Sequence, residues 1–334
     1  MTQAGMCKGQ RPLLSLVVPM FNEAAILPTF YQRATAALRE CGGAYEIIFV
    51  DDGSSDGSAD ELVRLAASDP HVKVVSFSRN FGHQTAVTAG MNYSSGQTVV
   101  VIDGDLQDPP ELIPQLLARW REGYQVVYAI RRTRQENWAK RVAYRLFYRL
   151  LHSLSYVDMP LDAGDFAIMD RCVVDLLNRM PERNRFVRGI RAWVGFRQTG
   201  LEYDRDPRLA GESKYPLAKL MRLAYDGVIS YSFVPLRMVT RLGFVISIVA
   251  FALMLYFLWL RVVHGTMLVG WTSTIVIILF LGGVQLVSLG ILGEYVGRIF
   301  DEVKRRPLYV VRETHGFDVP GVEAASGVAV GQEC

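Results

Sequence analysis

Cysteine is scarce in this chain: Cys7, Cys41, Cys172 and Cys334 are the only four in 334 residues. They stand too far apart for any metal-ligand spacing, and nothing in their placement calls for a disulfide, which makes a reducing compartment the simpler expectation. Excess charge is equally thin. Against 36 Lys and Arg stand 33 Asp and Glu, and a net +3 is too small to imply a nucleic-acid partner. No apolar run precedes Leu13, and the run that begins there is short and strand-like. No secretory signal is expected from this, and the soluble part should then stay in the cytoplasm.

What is abundant is apolar surface, unevenly spread. Half of the residues are hydrophobic. Residues 242–260 and 262–293 contain no Asp, Glu, Lys or Arg, and each can supply the ~20 apolar residues that a membrane span requires. A short connection at 264–270 predicts a helical hairpin, with Trp259, Trp271 and Tyr295 at interfacial depths. Arg237 and Arg241 precede the first run, and Arg298, Lys304, Arg305 and Arg306 follow the second, whereas only Arg261 lies near the turn. The positive-inside rule then puts both termini in the cytoplasm, as a multi-pass protein of the plasma (inner) membrane.

Ahead of the hairpin, short apolar runs at 14–19, 46–51, 72–77, 98–103 and 126–130 read as strands. Several are near-continuous in Val, Ile and Phe, as buried strands are. Residues 23–40, 58–68, 82–93 and 110–122 between them read as helices. Such alternation predicts an α/β domain with a mostly parallel sheet and ligands beyond the carboxyl ends of its strands. A basic, aromatic helix follows at 137–153 and a Gly/Asp-rich turn at 162–165, but the order of 170–205 in the sheet is not legible. Residues 216–231 are amphipathic and suit an interface helix, and 307–312 suit a short strand. The expected divisions are a tail at 1–12, a catalytic domain at 13–215, juxtamembrane helices at 216–238, the hairpin at 239–296, a cytoplasmic segment at 297–318 and a disordered tail at 319–334.

Chemistry concentrates at the predicted strand ends. Asp103-Gly104-Asp105-Leu106-Gln107 follows the fourth strand. Two carboxylates beside a bare glycine backbone, with the Gln107 amide oxygen, suit a divalent cation that also holds a diphosphate; alone, the same pair also suits an acidic turn capping the next helix. Asp51-Asp52-Gly53-Ser54-Ser55-Asp56 follows the second strand. An Asp at that strand end suits a nucleobase N–H or a ribose hydroxyl, while Asp56 suits a helix cap. After the first strand come Pro19-Met20-Phe21-Asn22-Glu23, where Asn22 or Glu23 either caps the helix or faces the nucleotide.

Those three motifs, in this order, resemble the family 2 glycosyltransferases of GT-A fold. With R-N-F-G-H-Q-x-A at 79–86, D-A-G-D-F at 162–166, R-x-x-G-E-S-K-Y at 208–215 and a terminal pair of apolar runs, residues 13–312 are similar to the polyprenyl-phosphate glycosyltransferases, the GtrB- and ArnC-like enzymes and dolichyl-phosphate mannose synthases. The resemblance implies a GT-A domain that takes a sugar, glucose first among the alternatives, from a UDP-sugar to a polyprenyl phosphate, with Mg²⁺ or Mn²⁺, at the cytoplasmic membrane face and as a homo-oligomer; UDP-amino-arabinose and GDP-mannose are the other donors. It assigns Pro19, Glu23, Asp51 and Asp103 to the nucleotide, with Asn22 and Asp52 beside them, and Asp105 with Gln107 to the metal. Arg131 and Arg134 go to donor or acceptor phosphates, and Arg208, Ser213 and Lys214 to the acceptor phosphate. For Asp162 and Asp165 three roles stay open: orienting the acceptor, holding a basic residue, or acting as base. His83 and Gln84 suit organising the nucleotide pocket more than chemistry. Two rivals are a processive polysaccharide synthase, which needs more spans and a Q-x-x-R-W motif of which residues 188–193 are a distant echo, and a non-catalytic nucleotide-sugar or lipid-binding scaffold.

Overall fold

The computed structural model describes residues 11–131, 163–183, 185–203, 234–264 and 270–317. The expected helices at 137–153 and 216–231, and the motif at 208–215, lie outside the described residues. The described residues fall into two compact units, one running up to residue 203 and resuming at 306–317, the other lying between residues 234 and 305.

The first unit is built on an eight-stranded sheet. Its elements are β1 (Leu14–Met20), α1 (Leu27–Glu40), β2 (Tyr45–Asp51), α2 (Ser58–Ser68), β3 (Val72–Phe77), α3 (His83–Tyr93), β4 (Thr98–Val101), a 3₁₀ turn (Pro110–Leu112) running into α4 (Ile113–Arg121), β5 (Val126–Arg131), β6 (Ala163–Asp170), α5 (Arg171–Arg179), α6 (Val187–Trp193), β7 (Gln198–Tyr203) and, at the far end of the chain, β8 (Val311–His315). Every residue of β1 and of β4 is buried, which explains why these runs show no polar alternation.

The strand order is β7-β5-β6-β4-β1-β2-β3-β8. β1 pairs in parallel with β2 and β4, β2 with β3, and β5 with β7. β6 is antiparallel to both β4 and β5, and β8 is antiparallel to β3. Six of the eight strands run one way, as expected of a mostly parallel sheet; it is mixed because β6 and β8, whose direction no local pattern reveals, enter it the other way. The D-A-G-D-F segment is likewise no turn from Ala163 onward: its apolar continuation Phe166–Met169 is fully buried between two strands and draws Gly164 and Asp165 into β6. The strand expected at 307–312 forms slightly later, at Val311–His315.

Helix starts differ for a local reason. α1 begins at Leu27 instead of residue 23, with a proline in its first turn, where the missing N–H is harmless. The residues before it are held otherwise: the N–H groups of Asn22, Glu23 and Ala24 donate to Ser54 Oγ, Ser58 Oγ and Asp56 Oδ2. Asp170 closes β6 and caps α5, accepting the Cys172 N–H at 2.9 Å.

The second unit contains two long helices, α7 (Val234–His264) and α8 (Trp271–Val303). α7 runs through the arginine that the sequence pattern put near a turn. Phe244, Val262, Phe280 and Leu286 are exposed on these helices. Among the described residues one stretch, Val276–Val303, is long and apolar enough to cross a membrane, and Met238–Leu253 is a shorter apolar stretch.

Candidate active site

Loops leaving the carboxyl ends of β1, β2 and β4 close against one another. Asn22, at φ 55°, accepts the Ser55 N–H through Oδ1 at 2.8 Å, and Asp56 takes the Ser58 N–H and hydroxyl at 3.0 and 2.5 Å. The first loop is thereby stitched to the second. Gly104 joins the third loop to the first, since a Cβ there would sit 2.4 Å from Met20 Sδ and 2.7 Å from Glu23 Oε2. Leu106 is buried at φ 57°, a left-handed conformation that leucine rarely adopts. Strain of this kind gathers where neighbouring structure over-determines a loop.

Asp51 and Asp52 are both buried but serve differently. Asp51 Oδ1 accepts the Ser54 N–H at 3.1 Å, and its Oδ2 is buried without a hydrogen-bond partner. Asp52 spends both oxygens on backbone, accepting the Phe81 and Gly82 N–H groups at 2.6 and 2.9 Å. Burial raises the Asp52 carboxyl, with those two bonds opposing. Geometrically Asp52 holds the 79–83 loop against the sheet, whereas Asp51 keeps an oxygen for something else. Asp105 Oδ1 accepts the Gln107 N–H at 3.1 Å, folding the acidic loop back on itself. Asp108, one residue on, is buried and takes the Tyr203 hydroxyl.

A further carboxylate reaches this edge because β6 runs antiparallel. Val101 pairs with Ala167, and continuing that register by two residues sets Asp165 opposite Asp103. His83, at the start of α3, bridges them: its Nε2 lies 3.2 Å from Asp165 Oδ2 and 3.5 Å from Asp103 Oδ1. The ligand atoms of His83, Asp103 and Asp165 lie within 4.8 Å of one another, a group able to hold a metal ion.

The two carboxylates are nonetheless unlike. Asp103 Oδ1 is buried with no hydrogen-bond partner, and burial pushes its carboxyl up to about 6, against the pull of His83. Burial would also raise Asp165, but hydrogen bonds from His83 and Arg188 outweigh it and hold the group far below the usual carboxylate range. Arg188 grips Asp165 in a fork, Nε to Oδ1 at 2.7 Å and Nη2 to Oδ2 at 2.9 Å, while Gln84 Nε2 donates to Oδ2 at 3.2 Å. Burial would lower His83, yet its bond to Asp165 and the charge of Asp103 carry it up. Asp103 Oδ1, buried with no hydrogen-bond partner, is the oxygen of this group best placed to take a cation.

Of the residues singled out from sequence, the structure gathers Asn22, Glu23, Asp51, Asp52, Asp103, Asp105, Gln107, His83, Gln84 and Asp165 at one sheet edge. Pro19 is buried in β1 opposite Val50, and Arg131 ends β5 opposite Tyr203. Arg134, Asp162, Arg208, Ser213 and Lys214 lie outside the described residues. Sequence reading missed Arg188 and Arg191 as site residues. Their signal was present: two arginines one helical turn apart, beside the buried Val187 and Ile190.

Residues 15–177 match the model of glycosyl transferase family 2. The chain is 47% identical over 305 residues to the uncharacterized glycosyltransferase YkcC of Bacillus subtilis, covering 91% of this chain and 94% of that one. It is 42% identical over 306 residues to the bactoprenol glucosyl transferase of Shigella phage SfII, covering 90% and 98%. Among solved structures it is similar to glucosyl-3-phosphoglycerate synthase of Mycobacterium tuberculosis, at 23% identity and a TM-score of 0.43, over 66% of this chain and 79% of that one.

Proposed function

The chain belongs to glycosyl transferase family 2 and is a glycosyltransferase, and from that premise we propose that it moves glucose from UDP-glucose to undecaprenyl phosphate with inversion at the anomeric carbon. One observation carries the reading to this edge of the sheet: acidic loops from three strand ends converge there, and Asp51 and Asp103 each keep a buried oxygen without a hydrogen-bond partner. The bactoprenol glucosyl transferases, similar over nine-tenths of the chain, favour a polyprenyl phosphate as acceptor and glucose as the sugar.

In this reading Asp51 takes the uridine, with Pro19, Asn22 and Glu23 shaping its pocket and Asp52 bracing the loop that closes it. Asp105 and Gln107, with Asp103, hold Mg²⁺ or Mn²⁺, a donor set of hard oxygens suited to either ion. Bound there, the ion supplies neutralisation of the diphosphate charge. Arg131 and Arg134 meet donor or acceptor phosphates, and Arg208, Ser213 and Lys214 hold the lipid phosphate, to which guanidinium forks and an ammonium are suited. Asp162 orients the acceptor.

The acceptor needs no strong base. A phosphate monoester is anionic at neutral pH, with a second pKa of about 6. A phosphate oxygen attacks C1 of glucose from the face opposite the leaving group and forms the new C1–O bond. The old C1–O bond breaks, its electron pair departs on UDP, and no proton has to move. The site's task is then positioning and charge stabilisation.

We place the reaction at the cytoplasmic face of the plasma membrane, with α7 and α8 as two spans, both termini inside, and the enzyme assembled as a homo-oligomer. The apolar length of α8 and the arginines flanking the pair support that topology. The test is a donor panel: purified full-length protein with undecaprenyl phosphate, Mn²⁺ and radiolabelled UDP-glucose, UDP-amino-arabinose or GDP-mannose. Label from UDP-glucose entering the organic phase is expected. Label from another donor alone would keep the reaction and replace the sugar, and nucleotide binding with no label transferred would favour the scaffold.

A further inference from the structure

α6 delivers two guanidinium groups to the β6 segment that carries Asp165. The Arg188 fork takes both carboxylate oxygens, and Oδ2 also accepts from Gln84 and lies within hydrogen-bond distance of His83. Gln84 then turns back to α6: its Oε1 accepts the Val187 N–H at 2.9 Å. The contacts close a ring running from α6 through Arg188, Asp165 and Gln84 to α6 again. Arg191, buried and one turn on, donates from Nη2 to Gly164 O at 3.4 Å and lies 5.5 Å from the Tyr128 ring centre. Gln198 Nε2 in turn donates to the Arg191 carbonyl at 3.0 Å. Both the side chain of Asp165 and the peptide before it are thereby fixed from the same short helix.

Such a carboxylate is badly placed to act as a base. Oδ2 accepts from Arg188 Nη2 and Gln84 Nε2 and lies 3.2 Å from His83 Nε2, and Oδ1 accepts from Arg188 Nε. Accepting a further proton would mean surrendering a charge-assisted bond. The ring ends instead on His83, whose Nε2 stands 3.5 Å from Asp103 Oδ1. Resting on the transferase reading above, we propose that Arg188 is a positioning residue for transfer: through Asp165 and Gln84 it fixes the His83 imidazole beside Asp103, and Asp165 anchors that ring rather than serving as general base.

The contacts that orient a functional side chain affect rate by about 10–100-fold when removed. Arg188→Met, Arg188→Lys, Gln84→Leu and the Arg188→Met/Gln84→Leu double variant are compared with wild type in detergent, full length, measuring kcat and KM for UDP-glucose and for undecaprenyl phosphate. The expected result for Arg188→Met is a kcat lower by about 10–100-fold with both KM values within about 3-fold of wild type. Arg188→Lys, which keeps the charge but not the fork, should recover only part of that loss. The double variant should be no slower than the slower single variant, as members of one unit are. An Arg188→Lys enzyme as fast as wild type, a loss carried by KM alone, or losses that multiply in the double variant would each overturn the inference. Should Arg188→Met not fold, the lysine variant decides. A wild type that transfers no sugar to the lipid would remove the functional reading itself, whereas a transferring wild type matched by its Arg188 variants would remove only this inference.

Discussion

Gly53 has no room for a side chain: at φ 72°, a Cβ would lie 2.6 Å from the Arg79 carbonyl carbon and 2.8 Å from the Asn80 nitrogen. Backbone cannot swing aside as a side chain can, so Gly53→Ala should lower stability by about 1–3 kcal/mol and disturb the 79–83 loop. Chemical denaturation with and without UDP would read both effects. At Asp105 the expectation is different in kind. Asp105→Asn should reduce transfer by about 10²-fold or more at an unchanged melting temperature, because it removes charge from an already folded loop. Both sites were legible in the sequence, since D-D-G-S and D-G-D-L-Q place their residues by local spacing alone. The partners of Asp165 were not. Arg188 lies 23 residues away and Gln84 81 residues away, on two helices that meet beside β6 only in the folded chain.

At the scale of elements, the strands and helices of the first half were readable because buried Val/Ile runs alternate with amphipathic ones. What escaped was direction and termination. β6 and β8 enter antiparallel, and α1 starts late because side chains of the neighbouring loop take its first N–H groups. The opposite end of the sheet is pinned by Glu46, which accepts from Ser15 Oγ at 2.5 Å, Lys73 Nζ at 2.6 Å and the Ser95 N–H at 2.7 Å. Burial would raise this carboxyl, but the bonds from Lys73, Ser15 and Ser95 outweigh it and hold it below its ordinary value. A depressed carboxyl contributes stability above its unfolded pKa of roughly 4.3, and loses it as pH falls through the lower folded value. Glu46→Gln should therefore be less stable than wild type by about 2 kcal/mol at pH 7, and the gap should narrow below about pH 4. Denaturant titrations at pH 7, 5 and 3 measure it; a gap independent of pH would contradict the assignment.

The whole molecule joins a sheet domain to a pair of apolar helices. β8 returns the chain to the domain after α8, so the domain is closed by residues on both sides of that pair. The two apolar runs were visible as charge-free stretches, though the helices extend beyond them, to His264 and Val303. If α7 and α8 span the bilayer as a hairpin, Thr266→Cys in a cysteine-free background should react with an impermeant maleimide added outside intact cells. Glu302→Cys should react only after permeabilisation. Reversed labelling would invert the proposed orientation.

The central claim is that carboxylates gathered at one sheet edge drive metal-dependent transfer of a sugar to a lipid phosphate. It is tested most directly by supplying the purified full-length enzyme with labelled UDP-glucose, undecaprenyl phosphate and Mn²⁺, and quantifying released UDP against organic-phase label. The account predicts equimolar UDP and glucosyl lipid, both abolished by chelation and by Asp105→Asn. Lipid product formed at wild-type rates under either condition would contradict it.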